Sequence, residues 1–145
     1  MEDISGDECL LFRRGALRYG IPLTDLKEIK RITQGWTPLP GISEVIRGII
    51  SVSGRLTSIH DLATFNGEER PEDIPYLLVA QSKRDGLIGL ACDEIDGINY
   101  IDMRATRSLP VHLSEYTNCY TGMTDQDRLI INLNGLIENE TFFNA

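Results

Sequence analysis

Catalytic chemistry in this chain would have to start from two imidazoles, His60 and His112. His60 is followed directly by Asp61, a pairing that suits acid–base work or a metal dyad. A metal-dependent hydrolase needs further His or Asp ligands, and no second His-Asp or His-x-His spacing occurs. His60 therefore reads as a strand-end side chain. His112 follows Pro110 and Val111 in a loop and has no evident partner. Ser51, Ser53 and Ser58 lack the Gly-x-Ser-x-Gly context of a nucleophile elbow. Asp93 and Glu94 resemble a catalytic carboxylate pair, but adjacent residues on a strand point to opposite faces and cannot converge on one substrate. No phosphate-binding loop or dinucleotide fingerprint is present. Cys9, Cys92 and Cys119 are widely spaced, odd in number and without metal-ligand spacing. Cys9 and Cys92 lie in or beside apolar runs, where a thiol acts as a small hydrophobe. The expectation is a non-enzyme with no catalytic residues, no cofactor and no metal.

Composition narrows the alternatives. At 145 residues, 41% hydrophobic and 25% charged, the chain has the make-up of one globular domain. The net charge of −8 and a pI near 4.7 disfavour nucleic acid, which needs clustered Lys and Arg. The aromatic fraction of 7% is also low for base stacking. No apolar run approaches the roughly 20 residues that cross a bilayer, so no direct membrane insertion is expected. Residues 1–8 form an acidic tail unlike a signal or transit peptide, and the cytoplasm is the expected compartment. The charge is uneven. Arg13, Arg14, Arg18, Lys27, Lys30 and Arg31 face only Asp25 and Glu28 between residues 10 and 31, a basic stretch able to orient an acidic partner.

The elements that position these residues are short strands between tight turns. Arg14-Gly15, Ser53-Gly54, Asn66-Gly67, Asp85-Gly86, Asp96-Gly97 and Asn134-Gly135 each supply a residue that accepts positive φ. Strands are predicted at Cys9–Arg13, Leu17–Ile21, Ile46–Val52, Tyr76–Ala80, Leu87–Cys92 and Leu129–Leu133. Within the third, Ile46, Gly48, Ile50 and Val52 should share one face. One helix is predicted over Thr24–Lys30, with Thr24 and Asp25 as caps and Leu26, Ile29 and Lys30 on one face. Shorter turns are expected at Ser43–Ile46 and Asn134–Glu138. Residues 66–75 read as a mobile, charged, proline-bearing loop. Trp36, in a polar loop, is either an interface anchor or a loop-packing side chain.

With the strands placed, the chain resembles the CheW-like coupling domains of bacterial chemosensory arrays. Gly48 to Leu62 (GIISVSGRLTSIHDL) is similar to the family's central hairpin, and Gly89 to Ile95 (GLACDEI) to a later strand and turn. Tyr19-Gly20-Ile21-Pro22, Leu26-Lys27-Glu28-Ile29 and Thr37-Pro38-Leu39-Pro40 resemble earlier pieces, while Tyr120 to Met123 and Leu129 to Leu133 resemble the closing strands. The resemblance covers about Cys9 to Ile137, with residues 9–145 as a single domain. It implies a mainly β fold of two small, interleaved five-stranded SH3- or OB-like barrels sharing a core, with one or two short helices. It also implies a non-catalytic adaptor that joins the tip of a methyl-accepting receptor to the regulatory domain of a histidine kinase. Carried over by motif position, the protein-binding residues are Leu26, Glu28, Val52, Ser53 and Arg55. The chain departs from the pattern at Ser51, Ser53 and Ser58, where the family has Asn, Arg and Pro. Ser53 lacks the charge and five donors of the Arg, for which Arg55 is a partial substitute. These departures suit a paralogue in a pilus or other motility pathway. The alternative is an interaction module that has lost kinase coupling and binds another protein or peptide.

Overall fold

The computed structural model describes residues 6–41, 43–69, 71–82 and 86–143. The alternating apolar runs form eleven strands: β1 (Gly6–Arg14), β2 (Leu17–Pro22), β3 (Leu26–Arg31), β4 (Thr37–Pro38), β5 (Ile46–Val52), β6 (Arg55–His60), β7 (Tyr76–Ser82), β8 (Gly86–Cys92), β9 (Glu94–Asp102), β10 (Tyr120–Met123) and β11 (Arg128–Ile131). Three short helices complete them: α1 (Leu62–Phe65), α2 (Leu133–Glu138) and α3 (Glu140–Phe143). β1 begins three residues before Cys9, inside the stretch expected to be tail.

The strands make two sheets, ordered β10-β11-β2-β1-β9 and β3-β7-β8-β6-β5-β4. The first closes on itself beyond β9, where Arg107 bridges to Met123 of β10 with N–H···O distances of 2.8 and 3.0 Å. In the second, the outermost strands β3 and β4 are consecutive in the chain, so the loop between them spans the seam. Side-chain alternation gives each sheet two apolar faces. In β7, Leu78 and Ala80 enter a central core between the sheets, while Leu77 and Val79 enter a smaller one with Ile50, Val52 and Ile59. In β1, Leu10 and Phe12 join the central core, and Cys9 and Leu11 meet Ile130 in a third. The fold is mainly β, with one core shared by both sheets and one small core belonging to each.

Two readings change. Thr24–Lys30 is not a helix: a 3-10 turn over Leu23–Asp25 follows Pro22, and β3 then runs extended along β7. The Leu26/Ile29/Lys30 spacing fits a helix locally, but pairing with β7 satisfies the backbone of an otherwise bare sheet edge and overrides that propensity. Residues 71–75 of the proline-bearing loop expected over 66–75 are also more tied down than a mobile loop. They are gripped by Arg14, which donates to the carbonyls of Asp73 (2.6 Å) and Pro71 (3.4 Å), and by Arg47, which donates to Pro71 (2.7 Å).

Asp61 caps α1 by accepting from Ala63 N–H at 3.0 Å, and Asn132 caps α2. Leu133 belongs to that helix rather than to β11. Gly48, Ile50 and Val52 face inward, while a register shift at Ile46/Gly48 leaves Ile46 half-buried and turns Arg47 into the interior. A Cβ on Gly48 would sit 2.2 Å from the Thr37 carbonyl and 2.7 Å from the Trp36 ring. Trp36 is thus a packing residue, seated on the small core under the Arg47 guanidinium at 5.6 Å. Ile50→Ala should cost about 2 kcal/mol, the low end for such truncations because this core is small and Ile50 also borders a cavity. Urea unfolding measures it, and wild-type stability would reject the strand facing.

Candidate protein-binding site

The β5–β6 hairpin turns on two residues, Ser53 and Gly54, with φ of 51° and 78°. Positive φ at both central positions matches the right-handed twist of the flanking strands. This turn carries Ser53 to the exposed edge strand β3, where its hydroxyl donates to Glu28 Oε1 at 3.4 Å. Glu28 and Ser53 are exposed and meet at the hairpin tip although 25 residues separate them, and exposed Arg55 follows the turn on β6. Leu26 is half-buried against the central core. Val52 is 1% exposed, so it supports the turn from below and offers no contact face. Lys27, Arg31 and half-buried Lys30 lie along β3 around Glu28, giving this edge a basic character in an acidic protein.

Ile29, which the sequence placed on a helix face, and Leu56, which it did not single out, add apolar surface to the two strands. Ile29 (41% exposed) and Leu56 (75%) are large hydrophobics left uncovered on β3 and β6. The register identifies their face: Ile29 pairs with Leu78, and Leu56 lies two residues from Ser58, which pairs with Ile88. Both therefore project on the side that forms the central core, beyond the reach of the five-stranded sheet. The rest of the basic stretch disperses. Arg13 pairs with Glu94, Arg14 is buried, and Arg18 lies on the other sheet.

The groups with apparent chemical potential are engaged in holding the fold. Asp61, fully buried, accepts from Arg14 Nε (2.9 Å) and Nη2 (2.7 Å) and from Arg47 Nη1 (2.8 Å). Burial alone would raise its pKa, but the hydrogen bonds and charge of Arg14, with Arg47, hold it below the ordinary carboxylate value. Asp93 joins the cluster through Arg14 at 2.7 Å and accepts from Gly15 N–H at 2.8 Å. His60 stacks on Phe142, with Nδ1 2.8 Å from the Phe142 carbonyl and Nε2 2.8 Å from Ser58 Oγ. Nδ1 must donate to that carbonyl, so Nε2 accepts from the serine. Burial pushes its pKa down to about 4, with the Phe142 bond opposing. Burial likewise pushes the thiols of Cys9 and Cys92 up to about 11 and about 12, far from the thiolate form that reacts. Asn66 bridges two buried tyrosines, donating to Tyr19 Oη (2.8 Å) and accepting from Tyr120 (2.9 Å).

Buried ionisable groups hold together a two-sheet β fold, and an exposed hairpin tip against a basic edge strand is its candidate binding surface. The family model described as the CheW-like domain matches residues 8–141, and the chain belongs to that family. The protein PilI of Pseudomonas aeruginosa is 30% identical over 90 residues, which are 61% of this chain and 50% of PilI. The matched stretch thus spans half of that relative's length. The fold is that of the scaffolding protein TtCheW from Thermoanaerobacter tengcongensis, whose crystal structure aligns with a TM-score of 0.76 over 94% of this chain and 95% of that one, at 22% identity. The family is one of non-catalytic adaptors. Among the described residues, no helix is long and apolar enough to cross a membrane.

Proposed function

We propose that this protein is a cytoplasmic chemosensory adaptor that couples a methyl-accepting receptor to a histidine kinase, in a pathway of the pilus type. Residues 9–145 act as one unit, carried into receptor arrays by partners. The observation behind this reading is the Glu28–Ser53 contact, which joins two distant motif positions in one exposed patch. The basic residues of β3 suit an acidic partner surface, and uncovered Ile29 and Leu56 add apolar area. Coupling then consists of differential contacts in two receptor states, with no chemistry in the adaptor. The likeness to PilI supports the pilus assignment.

A second reading has its own observation. Ser53, where the family carries Arg, turns back onto Glu28 instead of projecting a long cation. On that reading the module keeps the fold, has lost kinase coupling and binds another protein or peptide. Calorimetric titration with the regulatory domain of a chemosensory kinase from the same genome separates the two. Under the first, the wild type binds with a Kd of about 1–10 µM and Glu28→Lys weakens binding about tenfold without unfolding the protein. Normal affinity in a folded Glu28→Lys protein would remove Glu28 from the interface. No binding by the wild type, with recovery in Ser53→Arg, would establish the second reading.

A further inference from the structure

A cavity of 640 Å³ opens where the five-stranded sheet closes on itself. Three separate segments line it: the start of β2, the stretch following β9, and the β10–β11 turn. Leu17, Pro110 and Met123 give it an apolar part, and Arg18, Arg107 and His112 supply cationic or hydrogen-bonding groups. The side chains of Arg18 and His112 have no hydrogen-bond or ion-pair partner among the described residues. Arg107 already holds an anion, because it pairs with the carboxylate of Asp127 in the same cavity. Asp127 has a φ of 64°, in the left-handed region that Asp and Asn tolerate better than most residues.

We propose that this cavity is a binding site for a small molecule with a compact oxyanion headgroup on an apolar body. Its volume lies within the roughly 300–1,000 Å³ typical of small-ligand sites. Two guanidinium groups on different segments provide planar forks for a carboxylate or phosphate, the geometry in which such bonds are strongest. Asp127 stands in for the ligand on Arg107 and yields to it on binding. Occupancy clamps β2, the stretch after β9 and the β10–β11 turn together at the closure of the sheet. An adaptor built this way takes a small-molecule input at a distance from the β3 edge, and the inference does not depend on the partner proposed there.

The test is titration of the isotope-labelled protein, followed by backbone amide NMR shifts, with phenyl phosphate, isophthalate and neutral benzyl alcohol as probes. Saturable shifts at Arg107, Ser108, Gln126 and Asp127 with either anion, and none with the alcohol, are expected. Binding of both anions marks a general oxyanion site, and binding of one alone names its headgroup. Arg18→Gln and Arg107→Gln should each weaken binding about tenfold. Asp127→Asn keeps a residue that tolerates the left-handed turn and removes the competing carboxylate, so it should tighten binding about threefold. Absence of saturable shifts, equal response to the alcohol, or indifference of affinity to Arg18→Gln and Asp127→Asn would each overturn the proposal.

Discussion

Asp61→Ala is expected to lower stability by about 3–5 kcal/mol, the range for removing one partner of a buried ion pair. The carboxylate is completely buried and receives three hydrogen bonds from Arg14 and Arg47, besides capping α1. Its loss leaves two guanidinium groups in the interior, with Asp93 as the remaining acid hydrogen-bonded to Arg14. A buried charge stripped of its main counter-ion costs far more than a missing contact. The damage should also spread to the segment around Pro71 and Asp73, whose carbonyls depend on those two arginines being held in place. Urea unfolding gives the stability change, and amide exchange at Ile74 reports whether the segment has loosened. Asp93→Asn is the useful contrast, because the Asp93 side chain is 34% exposed; it should cost less than about 1 kcal/mol. Equal effects of the two substitutions would show that burial of Asp61 is not the source of the cost.

Acidification from pH 7 to 4 is expected to remove about 3 kcal/mol of stability through His60. The folded-state pKa of about 4 lies below the ordinary value of 6.5 because the buried ring sheds its charge. Between those values the unfolded chain binds a proton and the folded protein does not, so stability falls as the pH drops through that window. Asp61 acts lower. Its depressed pKa contributes stability above its ordinary value of 3.8, and this is lost only as the pH falls further. The windows are therefore separable. Unfolding midpoints of wild type and His60→Gln should converge between pH 7 and 4.5 as the wild type loses its advantage. A wild-type profile as flat as that of the variant would contradict the assignment.

The hairpins were legible in the sequence because their determinants are local. Arg14-Gly15 and Ser53-Gly54 announce turns, and the apolar runs beside them alternate with the period of a strand. Motif order located Glu28 and Ser53 as candidates, although it could not show that they touch. The helix assigned to Thr24–Lys30 failed because β3 is defined by its pairing with β7, roughly fifty residues later in the chain. Val52 was carried over by motif position alone, and its burial was not legible because its inward facing depends on the small core of the six-stranded sheet.

The charged interior was hidden for a related reason. Arg14 read as part of an exposed basic stretch, yet it is buried against Asp61, 47 residues away, with Asp93 as a second acid, and Arg47 is buried on the same Asp61. His60 read as a strand-end side chain and does close β6, but that its ring would meet Ser58 and the carbonyl of Phe142, 82 residues on, was not legible. By itself the sequence determined the β class, the principal turns and the family resemblance, all written in short-range pattern. The tertiary structure alone decided which edge strand meets the hairpin tip, which charges are buried and where the five-stranded sheet closes. Those outcomes depend on strand register and on desolvation, which arise only when distant segments exclude water together.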